Sequence, residues 1–132
     1  PGATVERILQ RLHKNNWCCG ANVIIVCVGI NNLLSGDSAA MLTAKLLHLH
    51  STLAQTWPSA KVYFMRLLPV HPSVAMVNKS LKSSNINTMF LDKCVTKNNQ
   101  PLPEFFRDNI HPNALGLKKM AWKIFHSLKF EL

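Results

Sequence analysis

Acidic residues are scarce in this chain. Six Asp and Glu stand against 15 Lys and Arg among 132 residues, a formal charge of +9. The imbalance favours anionic partners, such as nucleic acid or an acidic membrane surface, through weak non-specific contact. No apolar run approaches the roughly 18 residues that a membrane span needs, so no transmembrane segment is expected. Cys-x-x-Cys spacing is absent, which argues against a zinc site. Cys18 and Cys19 are adjacent, Cys27 lies inside an apolar run and Cys94 lies near a loop. That pattern reads as reduced thiols and an intracellular, cytoplasmic location, not a disulfide framework. Trp17, Trp57 and Trp122 are scattered, without the aromatic interleaving of single-strand nucleic-acid platforms. His48 and His50, two apart on an expected helix, point to different faces and make no metal pair. No cofactor or metal is expected. There is no leading methionine and no targeting pattern, so the segment is expected to be excised from something longer.

What is present suits one globular domain, with 48% hydrophobic residues. Residues 23–28 form an unbroken, largely β-branched apolar run ending at Gly29, which predicts a parallel strand from about Asn22 to Val28, buried on both faces. Before it, Val5, Ile8, Leu9 and Leu12 keep helical spacing after the N-cap candidate Thr4, predicting an amphipathic helix to about Asn16. After it, Ser38 caps an expected helix to about Gln55, with Leu42, Leu46, Leu49 and Leu53 on one face. Residues 61–68 predict a second strand closed by Pro69, residues 74–83 a helix presenting Val77 and Leu81, and residues 88–91 a third strand. Residues 92–107 read as a long polar connection. Pro112 then suits the first turn of a last helix to about Phe130, with Leu117, Met120 or Ala121, Ile124 and Leu128 inward. Its lysines 118, 119, 123 and 129 read as a solvated face. This order of elements is that of a doubly wound α/β domain.

In such folds polar sites gather beyond the carboxyl ends of the strands. The Gly29-Ile30-Asn31-Asn32 turn occupies one such place. Far away in sequence, Asp108-Asn109-Ile110-His111-Pro112-Asn113 puts an acid and an imidazole three residues apart before a helix start. Together they suggest a hydrolase site. His71 reads as a loop residue near the second strand's end.

At these residues the chain resembles the SGNH hydrolases, also called the GDSL esterase and lipase family, and especially the branch similar to the platelet-activating-factor acetylhydrolase catalytic subunits. Pro1-Gly2-Ala3-Thr4 looks like the family's second block, Gly29-Ile30-Asn31-Asn32 like its third and Asp108 to Asn113 like its last. Residues 61–69 with Val77-Asn78-Lys79 resemble its fourth strand and the following helix. The resemblance implies a three-layer α/β/α, flavodoxin-like parallel sheet, with residues 1–132 a single SGNH-type domain lacking its first two strands. It further implies action on carboxylic esters by a Ser-His-Asp mechanism. By the family pattern His111 is the general base and Asp108 its orienting acid. The Gly2 N–H and the Asn31 amide form the oxyanion hole, and Gly29 and Asn32 are supporting residues.

Asn32 departs from the family's aspartate at that position. The larger departure is the nucleophile. The family carries it as Gly-Asp-Ser at the end of its first strand, ahead of the second block. Gly36-Asp37-Ser38 follows the third block with no strand leading into it, so Ser38 reads as a helix N-cap and a decoy. The fragment is therefore expected to be inactive by itself. The alternative is a non-catalytic basic binding or scaffold module that keeps the fold. Family members also occur as modules inside retrotransposon-encoded proteins, a setting compatible with a basic intracellular segment.

Overall fold

The computed structural model describes residues 2–15 and 17–129, so Pro1, Asn16 and Phe130 of the expectations above lie outside the described residues. The main elements are helix α1 (Val5–Lys14), strand β1 (Val23–Val26), the one-turn helix α2 (Ile30–Leu34) and helix α3 (Ala39–Thr56). Strand β2 (Lys61–Met65), helix α4 (Val74–Ser83) and strand β3 (Thr88–Met89) follow. A short hairpin, β4 (Thr96–Lys97) with β5 (Gln100–Pro101), precedes helix α5 (Ala114–Leu128).

The sheet is parallel in the order β1-β2-β3, with Val23 beside Lys61 and Phe64 beside Thr88. Alternation along each strand sends side chains to two separate cores. Ile24 and Val26 of β1, with Val62 and Phe64 of β2, join Leu42, Leu46, Leu49 and Leu53 of α3 and Val77 and Leu81 of α4. Val23, Ile25, Tyr63 and Met65 face the other way, toward Met120 and Leu128 of α5 and Phe105 and Phe106. These are the three α/β/α layers, with helices on both faces of a parallel sheet. Among the described residues β1 has a strand partner on one side only. Its burial is accordingly partial, less than the full burial on both faces that its sequence predicts.

Local chemistry accounts for the helix starts. The Thr4 hydroxyl accepts from Arg7 N–H, and Ser38 Oγ accepts from Met41 N–H at 3.1 Å, meeting donors that a helix start otherwise leaves unpaired. In the last helix the cap is Asn113, accepting from Gly116 N–H at 3.0 Å, so Pro112 precedes the cap instead of filling the first turn. Its inner face is Gly116, Met120 and Leu128, and Leu117 points outward. The reason is Gly116: a Cβ there would overlap the Phe105 carbonyl oxygen. The backbone of α5 thus lies directly on Phe105, and Gly116 takes the inward place expected of Leu117, while Met120, Ile124 and Leu128 face inward as their spacing predicts.

Candidate active site

Two polar groupings lie beyond the carboxyl ends of the strands. The first follows β1. Gly29 has φ +133°, and a Cβ there would crowd Leu42 and Leu67 at 3.2–3.3 Å, so only glycine fits this turn. Where the sequence predicts an open turn, the chain forms α2, bringing Asn31 beside the N-terminal segment. Asn31 Nδ2 donates to the Ala3 carbonyl at 3.1 Å. A primary amide has a second N–H to offer. Gly2, Ala3, Gly29, Ile30 and Asn31 line one cavity of about 260 Å³ with Cys27, Arg66, Leu67 and Met120. Gly2, Gly29 and Asn31 are therefore brought together.

Asn32 sits behind that wall, 2% exposed. Its Oδ1 accepts from Val5 N–H at 3.0 Å, and its Nδ2 donates to Glu6 Oε2 at 3.0 Å and Asp37 Oδ2 at 2.9 Å. Lys45 pairs with both carboxylates, reaching Asp37 at 2.6 Å. Hydrogen bonding from Lys45 is the main cause that lowers Glu6 to about 2; the same bond leads in lowering Asp37. This network explains the asparagine at position 32: an aspartate would face two carboxylates, whereas the amide donates to both.

The second grouping is the loop before α5. Asp108 Oδ1 accepts from His111 N–H at 2.6 Å and Ile110 N–H at 2.7 Å, and Asp108 Oδ2 lies 2.8 Å from His111 Nδ1. The two backbone donors first, then the imidazole, hold the Asp108 carboxyl down to about 2. With Nδ1 held by the acid, Nε2 is the nitrogen left for chemistry. Both side chains are about half exposed. The loop closes on itself through Arg107 N–H donating to the His111 carbonyl at 3.0 Å.

Three hollows that share lining residues lie between the groupings, and His111 lines none of them. Asp108 and Asn109 line a cavity of about 500 Å³ with Pro69 and Val70. Those prolyl and valyl residues also line a neighbouring hollow of about 450 Å³ with Arg66 and Leu67, which reach the Asn31 cavity. His71 lines the middle hollow, more than a loop position requires. Sequence reasoning missed Arg66 and Asp92, which form a 3.6 Å ion pair in its wall; an arginine interrupting the apolar run of residues 62–68 was the available signal. Asn78 fastens the same rim, its amide exchanging hydrogen bonds with Leu67 N–H at 2.9 Å and Leu67 O at 3.0 Å. Ser38 is exposed at the start of α3, spent as a cap, and lines none of these three cavities.

Solved structures share this architecture. A lipolytic G-D-S-L family member from Veillonella parvula superposes with TM-score 0.76 at 19% identity, covering 97% of this chain and 76% of that one. The fold is that of the GDSL lipolytic proteins. A GDSL-like lipase from Bacteroides thetaiotaomicron gives 0.76 at 16% identity over 99% and 73% of the two chains. The psychrotrophic esterase EstA of Pseudoalteromonas, in a structure inhibited by monoethylphosphonate, gives 0.68 at 19% over 98% and 73%. No family model and no curated protein sequence matches the chain. The GDSL likeness thus rests on backbone geometry.

Proposed function

We propose that the chain is the larger part of an SGNH-type ester hydrolase, its nucleophilic serine supplied by residues upstream of Pro1. The observation that supports this reading is the Asp108–His111 pair, held at 2.8 Å on the loop preceding α5, in a chain where Gly2 and Asn31 share one cavity beyond the end of β1. In this scheme the serine oxygen bonds to the ester carbonyl carbon while His111 Nε2 takes its proton. The carbonyl oxygen becomes an oxyanion met by the Gly2 N–H and the free N–H of Asn31. The C–O bond to the alcohol then breaks, and the alcohol leaves with the proton from His111. Water repeats the cycle on the acyl-enzyme, releasing the acid. Asp108 keeps Nδ1 protonated and supports the imidazolium throughout.

The test is p-nitrophenyl acetate hydrolysis by residues 1–132 and by the chain extended with an upstream apolar strand ending in Gly-Asp-Ser. Serine-dependent turnover is expected only in the extended protein, falling by at least about a thousandfold in His111→Ala. Turnover by residues 1–132 that disappears in Ser38→Ala would overturn the assignment.

A further inference from the structure

Helix α5 turns only a narrow stripe inward, and what remains outside is not a polar face. Leu115, Trp122 and Phe125 are 52%, 62% and 57% exposed. They recur at i, i+7 and i+10, along one side of the helix. Lys118, Lys119 and Lys123 interleave with them, and residues 114–128 contain no acid. The indole is held in place: the His126 ring stacks on it at 3.8 Å, and Phe125 meets that same ring edge-on at 5.3 Å. Beside it lies a shallow hollow of about 460 Å³ lined by Lys93, Cys94, Leu102, Lys119, Trp122 and Lys123. Three lysines therefore line the hollow with no carboxylate among its lining residues, the Lys119 and Lys93 ammonium groups lying over the Phe105 and Phe90 rings at 4.3 and 5.4 Å.

Large apolar side chains exposed together on one face signal a partner. We propose that the outer face of α5, with Lys93, docks on an anionic lipid surface. Leu115, Trp122 and Phe125 enter the boundary between headgroups and acyl chains, while Lys93, Lys119 and Lys123 take lipid phosphates around the hollow. Charge complementarity commits the face to this occupant, since an acid-free helix on a chain of +9 is drawn to a negative surface. Nucleic acid would use the lysines but leaves the rest unexplained. Single strands need successive open aromatic faces, whereas one face of Trp122 is covered by His126, and Leu115 offers no stacking surface.

The experiment is flotation of the full 132-residue chain with vesicles of phosphatidylcholine, and of phosphatidylcholine and phosphatidylserine in equal parts. Partition into the mixed vesicles alone is expected. Each basic residue at such a surface is worth roughly fivefold, so Lys119→Glu with Lys123→Glu should weaken partition at least about 25-fold. Trp122→Ala should weaken it roughly tenfold, the share of an indole leaving water. Since these side chains are exposed, circular dichroism of both variants should match the parent. Brominated acyl chains should quench a part of the fluorescence that is missing in Trp122→Ala. No partition, partition indifferent to Trp122→Ala, or single-stranded RNA displacing the protein from mixed vesicles at equal phosphate would each overturn the proposal.

Discussion

The backbone N–H of Val5 donates to the side-chain oxygen of Asn32 at 3.0 Å, tying the first turn of α1 to the short helix that carries Asn31. Val5 is fully buried, so Asn32→Ala leaves its amide without an acceptor. The expected loss is about 1–3 kcal/mol, a drop in Tm of roughly 3–10 °C for a chain of this size. Asn32→Asp should be worse at pH 7, with a third carboxylate between Glu6 and Asp37. Its deficit should shrink as acid protonates the new group. Equal melting of this variant and the parent at pH 7 would refute the network.

Acid should weaken the fold in a defined window. Glu6 is held down to about 2 from an ordinary 4.5, by Lys45 first, and Asp37 is lowered in the same way. A carboxylate depressed by folding stabilises fully above its unfolded value and loses that contribution as pH falls through its folded one. The melting temperature should therefore decline from about pH 4.5 toward pH 2, and Lys45→Met should flatten that decline. Melting curves across the range read both.

Gly116→Ala should destabilise the protein although alanine is the better helix former. The added methyl would overlap the Phe105 carbonyl oxygen, and overpacking of this kind costs about 1–3 kcal/mol. Because Asn113 N–H also donates to that carbonyl, at 2.8 Å, the strain should reach the neighbouring loop. Chemical shifts of the His111 ring should move in the variant; an unchanged spectrum and melt would count against the close packing.

Ser38→Ala separates capping from catalysis. Loss of the bond from Met41 N–H should cost about 1 kcal/mol. In a chain extended with an upstream strand ending in Gly-Asp-Ser, the proposed mechanism expects hydrolysis to be unaffected by this change and Asn31→Ala to lower kcat by about 10²–10³, the loss of one oxyanion donor.

Much of this layout was legible in the sequence because the signals are local. Val5, Leu42, Leu46, Leu49, Leu53, Val77 and Leu81 are buried where helical spacing places them, and Thr4 and Ser38 cap where their hydroxyls suggest. Other parts depend on what a residue meets far away. Helix α2 was hidden because it is a single turn entered from Gly29 without a side-chain cap. Within residues 92–107, the hairpin turns on Asn98 and Asn99, both at positive φ, which suits a tight two-residue hairpin turn but reads in sequence as polar loop. The outward placement of Leu117 follows from a contact made by a residue with no side chain. At the site, the Asp108–His111 spacing announced its own pairing; the Arg66–Asp92 pair joins residues 26 positions apart, beyond the reach of any local pattern.

The loop bearing Asp108 and His111 is pinned at both ends by backbone contacts, the Arg107-to-His111 bond, the Phe106–Pro112 bridge and the Asn113-to-Phe105 bond, to which the Asn113 side chain adds a bond to the Glu104 carbonyl at 2.8 Å. Such a closure is independent of whatever occupies the rim. The amides of Ile110 and His111, donated to Asp108, should therefore exchange with deuterium at one common rate set by opening of the loop as a unit. That rate should be the same with or without an upstream strand, because the Asp108–His111 pair is a clip set by the loop's own closure.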